Sequence, residues 1–236
     1  MGSLDAMMED ASRALARMEY LECEALCVEA LDQARAAEAW SYVARILLPL
    51  QEARRQRRMI AAEGVVRLGT TSLTGPVSGW LDEMEAGCLA VTAPHGAAQA
   101  RELVALARQR RRVVEVLYVE NAPRQGDWRV RSFGGPAVTV EVAGPPPTWC
   151  DRWIRPGEMS NAIEGASGVL RSATPADWFL DASQALGDAA LEAALQHHDS
   201  PKASFDALYD CLQVVSDHEI LHQRLAEAAR VVGSMV

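Results

Sequence analysis

Three groups of residues in this chain could do chemistry. The most literal motif is His218-Glu219-Ile220-Leu221-His222. On a helix, positions i and i+4 share a face, so both imidazoles could hold one zinc ion while Glu219 activates its bound water. A hydrolytic zinc site needs a third protein ligand. After His222 the one acid is Glu227, five positions along the same helix and facing elsewhere. Upstream, His197 or His198 would have to reach back. Ser216-Asp217 reads as an N-cap, which places His218 in the first helical turn. Leu221, Leu225 and Ala228 then form the buried stripe, with the His pair on its flank.

The second group lies at strand ends. In an open parallel sheet, ligands bind outside the carboxyl ends of the strands. Those ends carry Thr70-Thr71-Ser72, then Thr92-Ala93-Pro94-His95-Gly96, then Glu120-Asn121. The segment from Thr92 leads into a helix whose free N–H groups could cradle a small anion, with His95 beside it. Thr92, His95, Gly96, Glu120 and Asn121 are therefore the candidate ligand-binding residues. Neither GxGxxG nor GxxxxGK[ST] occurs, so there is no nucleotide fingerprint. Thr and Pro also serve an ordinary helix start, and that reading stays open.

The third group is cationic: Arg54-Arg55-Gln56-Arg57-Arg58, and Arg108 with Arg110, Arg111 and Arg112. Each cluster reads as a solvated helix C-terminus, where cations complement the macrodipole. Contact with an acidic partner or a phosphate is the alternative.

The elements that would position these groups separate by pattern. Residues 5–62 are helical throughout, with a single proline, Pro49, and no glycine. Residues 63–147 form a small α/β region. Short β-branched runs at 65–68, 88–92, 113–119, 128–131 and 138–142 alternate with helical periodicity at 76–85 and 97–112. Strand, helix, strand, helix, strand implies a small, mostly parallel sheet, with the last two strands as a hairpin on its edge. The run 113–119 is the longest and should be the central strand, with Val116 fully buried and Tyr118 mostly so. Residues 148–174 follow Pro145-Pro146-Pro147 as a junction bearing Trp149 and Trp153, and 175–236 are helical again.

The helical ends carry a resemblance. Tyr20, Cys23, Cys27, Ala30 and Leu31 are spaced like the second helix of a tetratricopeptide repeat, and Trp40, Val43, Ala44 and Leu47 resemble the opening of the next. Phe205, Leu208 and Leu212, followed by Leu221, Leu225 and Ala228, resemble the same template of about 34 residues. Such hairpins interlock small and large positions and must stack on a neighbour, which presents a concave binding surface. A generic Ala/Leu-rich bundle is the alternative.

The whole chain has 236 residues, 49% hydrophobic and 23% charged, as an ordinary globular protein has. No apolar run reaches the roughly 18 residues of a membrane span, so no membrane is expected. The start lacks a secretory pattern. Arg outnumbers the single Lys202 twenty-two to one, a bias that points to a GC-rich bacterial genome. A net charge of −9 argues against a nucleic-acid surface. The five cysteines are scattered without a CxxC pair, as reduced thiols in a cytoplasmic protein would be.

The fold expected is therefore helix-rich α/β, a small sheet with crossover helices flanked by helical hairpins. The first expectation for function is a non-catalytic interaction or assembly module with a protein partner and no cofactor. The second is a small-molecule or nucleotide-binding protein, or an enzyme, using the strand-end loops. The third is a zinc hydrolase through His218, Glu219 and His222.

Overall fold

Ala, Leu, Glu and Arg dominate the N-terminal stretch. In the computed structural model they form α1 (Leu4–Ala16), α2 (Tyr20–Ala36) and α3 (Trp40–Ala62). The structure describes residues 3–158, 173–196 and 198–235. The middle of the chain gives β1 (Val65–Leu68), α4 (Val77–Trp80), β2 (Ala86–Val91), α5 (Ala97–Gln109), β3 (Val113–Asn121), β4 (Asp127–Arg131) and β5 (Thr139–Ala143). Helices α6 (Pro175–Ala194), α7 (Pro201–Cys211) and α8 (Glu219–Gly233) follow. This is the helix-rich α/β fold expected, with a five-stranded sheet. No helix among the described residues is long and apolar enough to cross a membrane. The chain divides into two compact units, a helical one (Met1–Arg57 with Ala190–Val236) and a sheet-bearing one (Arg58–Ala189).

In the sheet unit the strands lie in the order β1-β2-β3-β4-β5. The first three are parallel, and β4 and β5 add antiparallel, so the run around Val116 is indeed central. One face puts Leu89, Val91 and Val114 against Leu103, Ala107 and Trp80 of α5 and α4. Alternation sends Val66, Leu68, Cys88, Ala90, Leu117 and Val119, all buried, to the other face. There Trp128 meets Trp178 of α6 edge to face at 5.1 Å, and the Trp178 indole donates to the Ala143 carbonyl.

Two expectations fail here. Val116 and Tyr118 are only half-buried. The helix expected at 76–85 shrinks to the four residues of α4 and one 3₁₀ turn, Leu81–Glu83. The α-helix passes through Gly79, ends at Trp80 and tightens directly into that turn. Trp149 of the junction is 1% exposed. The segment beyond the prolines caps the outer edge of β1, where Ile154 exchanges backbone hydrogen bonds with Val66 and Cys150 bridges Leu68. The remainder of the expected junction, 159–172, lies outside the described residues.

In the helical unit, Cys23, Cys27 and Ala30 of α2 face inward. Trp40 is 5% exposed and meets Phe205 of α7 edge to face at 5.0 Å. The arginine cluster of α3 is not a solvated helix end, because α3 continues to Ala62. Arg54 and Arg57 are buried and share one buried carboxylate, Glu24 of α2. By contrast Arg110 and Arg112 do sit at the end of α5, donating to the Ser78 and Met84 carbonyls.

Candidate functional site

The carboxyl ends of β1, β2 and β3 open on a cavity of about 680 Å³ within the sheet unit. Its floor is made by Leu68 at the end of β1 and by Thr92 and Ala93 just past β2. Thr70 and Thr92 clamp each other just past the two strands. The Thr70 N–H donates to Thr92 Oγ1 at 2.9 Å, the Thr92 N–H donates to Thr70 Oγ1 at 3.0 Å, and the Thr70 hydroxyl donates to the Thr92 carbonyl at 2.9 Å. That leaves the Thr92 hydroxyl proton to donate onward, and Thr92 lines the cavity.

One wall is the segment after the triple proline. Cys150 and Asp151 line it, held because the Asp151 N–H donates to the Leu68 carbonyl at 2.8 Å. Asp151 Oδ1 accepts the Thr71 N–H at 2.7 Å. Gly69 must be glycine here, since at φ +106° a Cβ would lie 3.1 Å from that same oxygen. Behind Asp151, Arg67 is 3% exposed, a guanidinium within the sheet core. Its Nη2 donates to Ser72 Oγ at 2.7 Å and lies 4.0 Å from Asp151 Oδ1, and the group stacks over Trp153. Burial pulls the Arg67 pKa down and Asp151 opposes that. Burial, reinforced by Asp151, pushes the Cys150 thiol up to about 11. Cys150 is therefore a neutral thiol at pH 7 and a poor nucleophile.

The opposite wall is the β3–β4 connection, Ala122, Pro123, Arg124 and Gln125, with Trp128 behind it. The Trp128 indole donates to the Pro123 carbonyl at 3.2 Å, and the Gly144 N–H donates to the Gly126 carbonyl, so the loop is tied at both ends. Arg124 is exposed and makes no ion pair among the described residues. Among the described residues the cavity thus offers one open cation, one carboxylate with Oδ2 unengaged, two hydroxyls, a side-chain amide and apolar walls of Pro, Ala and Trp.

Of the five strand-end candidates, Thr92 alone lines this cavity. His95 packs edge to face on Trp80 at 4.7 Å, and its Nδ1 is buried without a hydrogen-bond partner among the described residues. Gly96 caps α5, but its N–H is already taken by Gln99 Oε1 at 2.9 Å. Glu120 pairs with Arg131 across the strands, and Asn121 is exposed at the irregularity between β3 and β4. Asp151 and Arg124 went unsuspected. Only the turn pattern around Pro123 and Gly126 pointed to a loop there, and no periodicity marks Asp151.

The His pair is placed differently from expectation. His218 is itself the N-cap of α8, its Nδ1 accepting the Leu221 N–H at 3.3 Å. Both rings are buried, at 0% and 1%, not on a flank. His222 Nδ1 lies 3.0 Å from the His218 carbonyl and Nε2 lies 3.3 Å from Arg54 Nη1. A guanidinium only donates, so Nε2 accepts and Nδ1 carries the proton. Burial, then Arg54, pulls the His222 pKa down to about 4. Both ring nitrogens are engaged, and Glu219 is exposed. His198 Nε2–H donates to the Ala194 carbonyl at 2.8 Å, and His197 lies outside the described residues. No group of three or more His, Cys, Asp or Glu among the described residues is gathered to hold a metal. No family model, curated protein or solved structure matches this chain.

Proposed function

We propose that this chain is a small-molecule-binding protein whose site is the cavity at the strand ends of the sheet unit. The observation carrying this reading is the convergence of Thr92, Asp151 and Arg124, from three separate loops, on one cavity of ligand size. Among the described residues no activated nucleophile lines it, since the Cys150 thiol is held neutral, and the reading is one of binding. The test is hydrogen exchange at Gly69, Thr71 and Gln125 in the presence of a broad panel of water-soluble metabolites. A compound that shields these amides in the parent, and does not in a cavity-filling Ala122→Trp variant, is expected. A panel in which nothing shields them would overturn the reading.

A second reading, a protein-interaction surface on the helical unit, is favoured by where apolar side chains are left in water. Among the described residues, Met18, Leu48, Leu195, Ile220, Val231 and Met235 are exposed large hydrophobics of that unit, against Met59 in the other. The inward small positions of α2 agree with the tetratricopeptide-like spacing. Replacing Leu48 and Ile220 by Ser should raise solubility without lowering the melting temperature. A destabilised protein would make these residues packing and not docking positions.

A further inference from the structure

The charges around the strand-end cavity differ in kind, and that difference selects a ligand. Arg124 stands on one wall with no counter-ion among the described residues. Asp151 stands on the wall formed after the triple proline, its Oδ1 fixed by the Thr71 N–H and its Oδ2 unengaged among the described residues. The carboxylate is 36% exposed, so it faces the open side and not the core. Thr71, Thr92 and Gln125 supply neutral polar groups between them, and Pro123, Pro145, Pro147 and Ala122 supply apolar wall.

A ligand that enters displaces water from both charges at once. A dianion would satisfy Arg124 and set a carboxylate against Asp151; a dication would do the reverse. Arg67, buried 4.0 Å behind Asp151, softens the negative end, so a neutral donor suffices there and a full positive charge is not required. We propose that the cavity takes a small monocarboxylic acid carrying a hydrogen-bond donor, amino or hydroxyl, at its far end. The carboxylate pairs with Arg124, in the bidentate manner guanidinium favours, and the donor reaches Asp151 Oδ2. This rests on the strand-end cavity being the ligand site.

The test uses four series of unbranched molecules matched in length: ω-aminocarboxylates, ω-hydroxycarboxylates, dicarboxylates and diamines, from four to eight carbons. Each is titrated into the full chain at pH 7, and the amide resonances of Gly69, Thr71, Thr92 and Gln125 are followed. At the best chain length, amino and hydroxy acids are expected to bind at least tenfold more tightly than the dicarboxylate or the diamine. Asp151→Asn keeps an oxygen for the Thr71 N–H and removes the charge, so it should bring the dicarboxylate to within about threefold of the amino acid. Arg124→Gln, at an exposed position, should cost the amino and hydroxy acids tenfold and spare the diamine. Dicarboxylates or diamines binding as tightly as amino acids at these amides would overturn the assigned class and leave the cavity a ligand site. No series moving these amides would overturn both.

Discussion

Acidification from pH 7 to pH 5 is expected to destabilise the helical unit by roughly 2 kcal/mol through His222 alone. The ring sits at the base of α8, 1% exposed, between the His218 carbonyl and the Arg54 guanidinium. Burial first, and then the positive charge of Arg54, lower its pKa from the ordinary 6.5 to about 4. The hydrogen bond to the His218 carbonyl and the charge of Glu24 act the other way. The folded state therefore keeps the ring neutral, while the unfolded chain takes up a proton below about pH 6.5. Stability from this group is fully present above that pH and is lost as the pH falls toward 4. The whole gap corresponds to about 3 kcal/mol, of which roughly two thirds is spent by pH 5. Urea unfolding at pH 7 and pH 5, followed by far-ultraviolet circular dichroism, should be run on the parent and on His222→Gln. Other groups titrate equally in both proteins, so the difference between the two losses isolates His222. Equal losses, or a larger loss in the variant, would refute the placement of the ring between carbonyl and guanidinium.

The remaining expectations concern packing and the cavity. Glu24→Ala leaves Arg54 and Arg57 buried without their shared carboxylate, and should cost about 3–5 kcal/mol in chemical denaturation. Gly87→Ala should unfold the sheet unit, because a Cβ there would lie 2.1 Å from the Val65 carbonyl oxygen of the paired strand. Gly79, with open space around it, should accept Ala without loss of melting temperature. Thr70→Val removes one donor and one acceptor from the clamp on Thr92 and should cost about 1–3 kcal/mol, with the amides of the cavity floor exchanging faster. Cys150, its thiol pushed up to about 11, should react with iodoacetamide far more slowly than glutathione at pH 7.5, and should speed up as the pH rises toward 10.

The five strands could be read from sequence because each carries β-branched or aromatic residues in a stretch punctuated by Gly and Pro, and Val113-Val114-Glu115-Val116-Leu117 is the longest such run. The crossover at 76–85 was read as one longer helix, since apolar periodicity does not separate α4 from the 3₁₀ turn Leu81–Glu83 that follows it. Thr92 was found because the residue after a parallel strand has a place fixed by topology. Asp151 and Arg124 were missed because their placement is decided by pairing over long distances, the Leu68 backbone with Asp151 and Gly126 with Gly144. The His218 and His222 pair looked like zinc ligands because periodicity sees only one helix. The group that occupies His222, Arg54, comes from 168 residues earlier.

The cluster of Glu24, Arg54, Arg57 and His222 also sets an order of events during synthesis. Its acid and both arginines leave the ribosome early, on α2 and α3, whereas His222 and the Ser216 carbonyl, which accepts from Arg54 at 2.9 Å, arrive with α8. In between, the chain delivers all of Arg58–Ala189. The sheet unit is continuous in sequence and can close while the helical unit is still unfinished. Until α8 emerges, Arg54 lacks the Ser216 carbonyl and the His222 ring that it meets in the finished fold. The nascent helices are then polar at the very place that later becomes dry, and α8 completes that burial as it docks.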